Sequence, residues 1–274
     1  MDYRFSVLIP VYYKEKPEYF SEALASVINQ TLKPNEIVVV KDGPLTDGLE
    51  EVLAKYDATN PGLINIVSLE TNQGLGVALA KGVEECSYEL IARMDSDDIS
   101  RNDRFEKQIA EFEKDPDLDI CGSQIAEFEG TVENVVSHRI VPLEDSEIKR
   151  FQKMRSAFNH VTIIVKKSSI LRAGNYQSCP GMEDGLLYVN MFLSGAKGMN
   201  SPEELVSVRV GSEMIIRRGG INYYRMYRDA REKILETKYI SYYEYLLSLL
   251  EHFIVSLLPI KVRGIIYRRF LHCR

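Results

Sequence analysis

Three carboxylates fall within four residues at Asp95-Ser96-Asp97-Asp98, directly after the apolar run Leu90-Ile91-Ala92-Arg93-Met94. Two ionised carboxylates about 5 Å apart repel by on the order of 3 kcal/mol at an effective dielectric of about 20, so a partly buried cluster calls for a cation. Ligands that are all oxygen favour a hard ion, Mg²⁺ or Mn²⁺, which keeps some of its waters and bridges to phosphates. An acidic turn that merely caps the next helix is the plainer reading. Placement at the end of a buried strand favours the metal.

The elements around this cluster suit a ligand site. Phe5–Val11, Glu36–Val40, Leu63–Leu69 and Leu90–Met94 read as short buried strands, and Ser21–Gln30, Leu49–Tyr56 and Val77–Cys86 read as helices between them. Alternation of this kind predicts an α/β fold with a mostly parallel sheet covered on both faces. Ligands in such sheets bind beyond the carboxyl ends of the strands. The residues there are Pro10, Val11 and Tyr12, then Asp42 and Gly43, then Asn72, Gly74 and Gly76, and finally the acidic cluster. Gly74-Leu75-Gly76, followed by an acid about 20 residues on at Asp95, also matches part of a dinucleotide fingerprint. Leu79 occupies its third small position, which leaves a nicotinamide dehydrogenase as the lesser alternative and a non-enzymatic nucleotide binder as a third. There is no Gly-x-x-x-x-Gly-Lys-Ser/Thr loop.

Beyond Asp98 the pattern is less regular. Helices are expected at Arg104–Lys114, Glu144–Phe151 and from Gly181 to about Ser194, and strands at Ile120–Phe128, Val132–Ile140, Val161–Lys166 and Leu205–Val210. From Tyr223 onward the chain reads as helical.

The ordered motifs Val7-Leu8-Ile9-Pro10-Val11-Tyr12, Ser26-Val27-Ile28-Asn29-Gln30-Thr31, Ile37-Val38-Val39-Val40-Lys41-Asp42-Gly43, Asn72-Gln73-Gly74-Leu75-Gly76, Arg93-Met94-Asp95-Ser96-Asp97-Asp98 and Arg104-Phe105-Glu106-Lys107-Gln108 resemble those of family 2 glycosyltransferases of the GT-A fold. The resemblance covers roughly residues 5–220 and is strongest to the bacterial exopolysaccharide and capsule branch, amylovoran-type enzymes included. It implies an inverting transfer of sugar from a nucleotide diphosphate, usually UDP, to an acceptor hydroxyl. It further implies that Pro10, Val11, Tyr12, Asn72, Gly74, Arg93 and Ser96 surround the donor, that Asp42 binds the base and that Asp95 contacts the ribose or sugar. Asp97 would hold Mn²⁺ or Mg²⁺, whose charge stabilises the departing diphosphate.

On the acceptor side the resemblance makes Asp184 the general base, with Glu183 and Met182 against the acceptor. Acids at a helix start are also favoured by the helix dipole alone. His160 corresponds to a position near the donor, although a lone His is more often structural. Arg209, Ser212, Arg217 and Arg218 resemble a mobile segment that closes over the diphosphate, and arginine suits phosphate.

Composition bounds the partners. The 274 residues carry a net charge of −6, with 45% hydrophobic and 27% charged residues, which fits a folded globular chain. A general nucleic-acid binder would need a basic footprint that the first two hundred residues lack. The four cysteines lie far apart and read as reduced, buried thiols, and nothing at the start of the sequence suggests export, so a cytoplasmic location is expected. The charge is unevenly spread: residues 220–274 hold ten Lys/Arg against five acids, or +5, leaving −11 for residues 1–219. We therefore divide the chain into a catalytic domain, 1–219, with a nucleotide half to about residue 100 and an acceptor half beyond it, and a basic helical extension, 220–274. Leu246–Leu258 reads as core or as an interface, with a homodimer as one outcome. Residues 260–274 read as a basic amphipathic segment for the inner face of a membrane, consistent with a polyprenyl-diphosphate-linked acceptor.

Overall fold

The computed structural model describes residues 4–211, 219–259 and 262–263. Its first half is a parallel sheet in the spatial order β3-β2-β1-β4, formed by β1 (Phe5–Val11), β2 (Glu36–Lys41), β3 (Ile64–Ser68) and β4 (Leu90–Arg93). The connecting helices α1 (Pro17–Ile28), α2 (Asp47–Thr59) and α3 (Leu75–Glu85) cover both faces. Side chains alternate along a strand, so one β1 face sends Phe5, Val7 and Ile9 into a core with α1 and α2. Leu8 points the other way and joins Val38, Val40 and the apolar side of α3.

The second half is a mixed continuation of the same sheet. It contains β5 (Ile99–Ser100), α4 (Arg104–Lys114), β6 (Ile120–Phe128), β7 (Val135–Arg139), α5 (Asp145–Gln152), β8 (Ile164–Lys166), α6 (Lys167–Arg172), α7 (Glu183–Leu193) and β9 (Gly198–Arg209). β8 joins antiparallel to β4, β6 follows antiparallel, β9 runs parallel to β6, and β5 closes the path against β9. Two further helices, α8 (Gly220–Glu236) and α9 (Tyr242–Leu257), pack on the α7 side around Leu186, Val189, Ala230, Ile234 and Tyr245.

Several elements depart from the sequence reading. α1 starts at Pro17 rather than Ser21, because proline at the first helical position needs no hydrogen-bond partner for a backbone N–H. The expected strand from Val161 begins only at Ile164, since His160–Thr162 is a 3₁₀ turn in which Thr162 Oγ1 donates to the Asn159 carbonyl at 2.7 Å. β9 begins at Gly198, well before Leu205, because it pairs along the whole length of β6. β5 was not anticipated. The helical C-terminal region is broken between α8 and α9 by Lys238 at φ 63°, and α9 restarts on a capping box between Ser241 and Glu244. Most of the leucine-rich face of α9 points away from the core, contrary to a core role for Leu246–Leu258. The segment 260–274, apart from Val262 and Arg263, lies outside the described residues.

A buried polar buttress fixes the end of β4. Arg104 on α4 is fully buried and donates to the Arg93 carbonyl at 2.8 Å and to Gln108 Oε1 at 2.9 Å. Gln108 in turn donates to the carbonyls of Cys121 and Thr162 at 3.0 and 2.9 Å. Gln30, at the end of α1, donates to Ser100 Oγ and the Arg101 carbonyl and accepts from the Phe105 amide. These contacts tie the turn after β4 to two helices. Gln108→Leu leaves Arg104 Nε without its acceptor and two carbonyls bare, so it should destabilise the protein by about 2–4 kcal/mol. The check is a lower urea midpoint with an unchanged slope; a loss under about 0.5 kcal/mol would show that the buttress does not hold β4.

Candidate active site

The carboxyl ends of β1, β2 and β4 lie side by side, with the reversal of strand order falling between β1 and β4. Pro10 and Val11 close β1, and Tyr12 follows with its ring edge-on to Tyr13. After β2 the chain turns at Gly43, with φ 85°, where an added Cβ would lie 2.6 Å from the Asn72 amide nitrogen. That approach brings in the loop before α3. The buried Asp42 carboxylate accepts from Asn72 Nδ2 at 3.0 Å, from the Gln73 amide at 2.7 Å and from the Gly74 amide at 3.0 Å. Asp42, Asn72 and Gly74 thus form one clamp, in which both Asp42 oxygens are already engaged.

The acidic cluster follows β4. One ligand oxygen from each of Asp95, Asp97 and Asp98 lies within 4.8 Å of the others. Their surroundings differ. Asp95 is bound bidentately by the buried Arg93 guanidinium. Burial works against the Arg93 charge, but Asp95 overrides it and holds the group more firmly protonated. Asp98 Oδ1 accepts the Arg209 amide at 2.8 Å, while burial first and then Asp97 and Asp95 raise its carboxyl well above the usual range. Asp97 is pushed up to about 7, mainly by burial and then by Asp95 and Glu15. The donors are all oxygen and carry unrelieved negative charge, which fits a hard divalent cation. Asp97 is the member not engaged by an arginine side chain or by the Arg209 amide, which makes it the best-placed ligand.

Two neighbours of the cluster were missed or misjudged in the sequence. Glu15, on the turn after β1, accepts from Ser96 Oγ at 2.9 Å and adds to the field on Asp97. An isolated Glu in a loop carries no spacing signal. Arg209 resembled part of a mobile segment, but its guanidinium lies 3.9 Å from the Tyr19 ring centroid and 4.7 Å from that of Phe128. It also donates to the Asp97 and Gly130 carbonyls, both at 3.1 Å, and pairs with Glu22. Arg209 is therefore a fixed brace at the end of β9. Ser212, Arg217 and Arg218 lie outside the described residues.

The second acidic pair opens α7. Met182 precedes the helix, and Asp184 accepts from Ser156 Oγ at 3.0 Å. Burial raises the Glu183 carboxyl, opposed by backbone amides at Glu183 and Gly181, and the fields of Asp184 and Arg93 also reach it. Glu183 packs so close to α3 that a Cβ on Gly76 would meet its Cγ at 2.9 Å. Glycine at position 76 is thus what lets Glu183 approach the loop clamped by Asp42.

Arg93 links the two acidic groups. Its charge acts on Asp97, Glu183, Tyr176 and His160, and Tyr176 in turn feels Asp184, Asp95 and Glu183. His160 Nε2 lies 2.8 Å from the Tyr176 hydroxyl, and burial together with Arg93 holds the imidazole well below its usual pKa, hence neutral. His160 is therefore near the expected site, but it is engaged with Tyr176. Arg93 Nε and the Tyr188 hydroxyl are buried without a hydrogen-bond partner among the described residues. Buried polar atoms of this kind are rare and call for an explanation. A hollow of about 330 Å³, lined in part by Cys179, Asn222, Arg225, Met226 and Lys233, opens where the turn before α7 meets α8.

Comparison with known proteins gives a consistent picture. The family model for glycosyl transferase family 2 matches residues 6–178. An amylovoran biosynthesis glycosyltransferase from Erwinia amylovora is 36% identical over 265 residues, spanning 97% of this chain and 98% of its own. The Escherichia coli UDP-Gal:alpha-D-GlcNAc-diphosphoundecaprenol beta-1,3-galactosyltransferase is 35% identical over 270 residues, spanning 98% of this chain and 96% of its own. Among solved structures, a mannosyltransferase from Pyrobaculum calidifontis in complex with GDP-Man and Mn²⁺ superposes with a TM-score of 0.63 at 16% identity, covering 94% of this chain and 77% of that one. S. aureus TarS 1–349 in complex with UDP gives 0.61 at 21% identity, covering 85% and 65%. At those identities the two structures speak to the fold, a GT-A arrangement of sheet and helices.

The raised Asp97 carboxyl has a consequence for stability. An unfolded Asp releases its proton near pH 4, whereas the folded protein keeps it to about pH 7, so folding loses stability as pH rises through that window. Without metal, Asp97→Asn should therefore melt higher than the parent at pH 8, by roughly 2–5 °C, with the gap closing at pH 4. Mn²⁺ should raise the melting temperature of the parent and leave the variant unmoved. A variant that is stabilised by Mn²⁺ like the parent would remove Asp97 from the metal site.

Proposed function

Because the chain belongs to glycosyl transferase family 2, we propose that it is an inverting, metal-dependent transferase moving a sugar from a UDP-linked donor to a lipid-linked saccharide acceptor. The observation that carries this reading is the pairing of two acidic groups across Arg93: Asp95, Asp97 and Asp98 on a strand end, and Glu183 with Asp184 on a helix start. One group suits a diphosphate and its cation, and the other suits a hydroxyl.

The donor lies over the ends of β1, β2 and β4. Pro10, Val11 and Tyr12 wall the nucleotide, Asp42 with Asn72 and Gly74 receives the base, and Arg93, Asp95, Ser96 and His160 shape the floor. Arg217 and Arg218 complete the expected donor contacts. Asp97, with Asp95 or Asp98 beside it, would hold Mn²⁺ or Mg²⁺, whose positive charge eases departure of the diphosphate.

On the other side the acceptor hydroxyl sits against Met182 and Glu183. The Asp184 carboxylate takes its proton as the oxygen attacks the anomeric carbon opposite the leaving group. The new C–O bond forms as the old one to the diphosphate breaks, and that bond's electron pair stays on the phosphate oxygen. Ser156 aims Asp184, and Glu183, whose carboxyl burial raises, stands beside it as an acceptor contact.

The activity for which the E. coli relative is named, galactose transfer from UDP to a diphosphoundecaprenol-linked GlcNAc, supports this choice of donor and acceptor class. The UDP complex of TarS supports the same nucleotide. Exopolysaccharide or another cell-surface glycan is the product class, made at the inner face of the membrane that carries the acceptor. A dehydrogenase is set aside by the family match.

Asp184→Asn should lower kcat by roughly 10²- to 10⁴-fold while UDP binding, followed calorimetrically with Mn²⁺, stays within error of the parent. Glu183→Gln should lose less. Full turnover by Asp184→Asn would remove Asp184 as the base.

A further inference from the structure

We propose that the outward face of α9 is a lipid-docking surface that beds into the headgroup boundary of an anionic membrane. This deepens the reading of a lipid-borne acceptor and rests on it for purpose, but its observations are separate.

α9 is turned inside out relative to an ordinary surface helix, which buries its apolar stripe. At about 100° per residue, Tyr242, Leu246, Leu250, Phe253, Ile254 and Leu257 share one arc of about 120°. Leu250, Ile254 and Leu257 are 56%, 54% and 55% exposed. The side that packs on α8 carries Tyr245 and Leu249 together with polar groups, and the Phe253 ring within the arc meets Tyr224 edge-on. Ser248 accepts from the buried Arg231 at 3.0 Å, and the His252 ring stacks on Tyr227 at 3.4 Å. Neither Glu244 nor Glu251 falls within the arc, and Tyr242 and Tyr243 mark its first turn, as aromatics do at a membrane interface.

What covers this face follows from the charge beside it. Residues 260–274 begin two residues after α9 ends at Leu257 and Leu258 and hold Lys261, Arg263, Arg268, Arg269 and Arg274 with no acid. Arg263 turns inward, donating to the Ser256 carbonyl at 3.1 Å and lying against Gly219. Lys261, Arg268, Arg269 and Arg274 place, by sequence, further positive charge directly after the apolar arc, which suits anionic headgroups. A second copy of the chain is the alternative cover, and oligomeric state in solution separates the two. No described helix is long and apolar enough to cross a membrane, so α9 would lie along the surface. α8, on which α9 packs, also borders α7, whose first turn carries Glu183 and Asp184. Docking would thus hold the acceptor-side helix near the lipid.

The test uses the full chain, without donor or acceptor, sedimented with vesicles of phosphatidylcholine alone or mixed with phosphatidylglycerol. The parent should partition onto the mixed vesicles. Leu250→Glu/Ile254→Glu should weaken that partition by about tenfold or more while keeping the parent's thermal melt, because the residues point outward. Arg268→Glu/Arg269→Glu should weaken binding to the mixed vesicles only. Unchanged vesicle binding by the leucine–isoleucine variant overturns the proposal, and so does loss of its fold, which would place those residues in a core. A parent that is dimeric by light scattering, and that the same variant makes monomeric with no change on vesicles, assigns the face to a second copy instead. UDP release with a soluble acceptor fragment is measured in parallel. Transfer by a protein indifferent to vesicles sinks the docking surface alone, and vesicle binding without transfer sinks only the enzymatic reading.

Discussion

Carboxylates held within 4.8 Å of one another repel, and the chain around Asp95, Asp97 and Asp98 is arranged to contain that repulsion. Arg93 neutralises Asp95 from below, the Arg209 amide meets Asp98 from the end of β9, and Arg104 adds a second buried guanidinium behind the strand. Each of these positive or polar groups needs its own support. Arg104 needs Gln108, Gln108 needs the carbonyls of β6 and of the turn before β8, and Arg209 needs the Tyr19 and Phe128 rings. The repulsion is least relieved at Asp97, whose carboxyl is pushed up to about 7, and a cation there would relieve it. A fully compensated cluster would be more stable and chemically inert.

The same arginine joins the two halves of the sheet. Its field reaches Glu183, Tyr176 and His160 as well as the acidic cluster, so the end of β4 and the start of α7 share one electrostatic environment. Steric fit does the rest: Gly76 lets Glu183 press onto the start of α3, and Asp42 holds the loop leading into that helix. His160 and Tyr176 keep their polar atoms paired beneath the site, which explains a histidine there without giving it a role in proton transfer.

Much of the first half was legible in the chain because its elements are local. β1, β2 and β4 are apolar runs bounded by turn residues, and a parallel strand buried on both faces shows itself in composition alone. The acidic cluster was legible for a similar reason, since adjacent residues after a strand must lie together. Glu15, Tyr176, Ser156 and Tyr188 were not, because their distances to the site are set by elements far away in sequence. Arg209 was visible but misjudged as mobile, because the two rings that cage it lie on α1 and β6. The early start of β9 and the 3₁₀ turn at His160 likewise depend on pairing with β6 and on a side-chain bond at Thr162. In α9 the period of the leucines was readable, but not which side of the helix they would face.

By itself, then, the sequence determined the α/β alternation, the strand-end position of the acids and the family, because each rests on residues close together in the chain or on the order of motifs along it. The tertiary structure alone decided which of three neighbouring aspartates is least engaged, that Glu183 is raised by burial, that Arg209 is a brace, and that α9 shows its apolar side to the surroundings. Those properties are set by desolvation and by partners dozens of residues away, and neither quantity is defined until the chain has closed on itself.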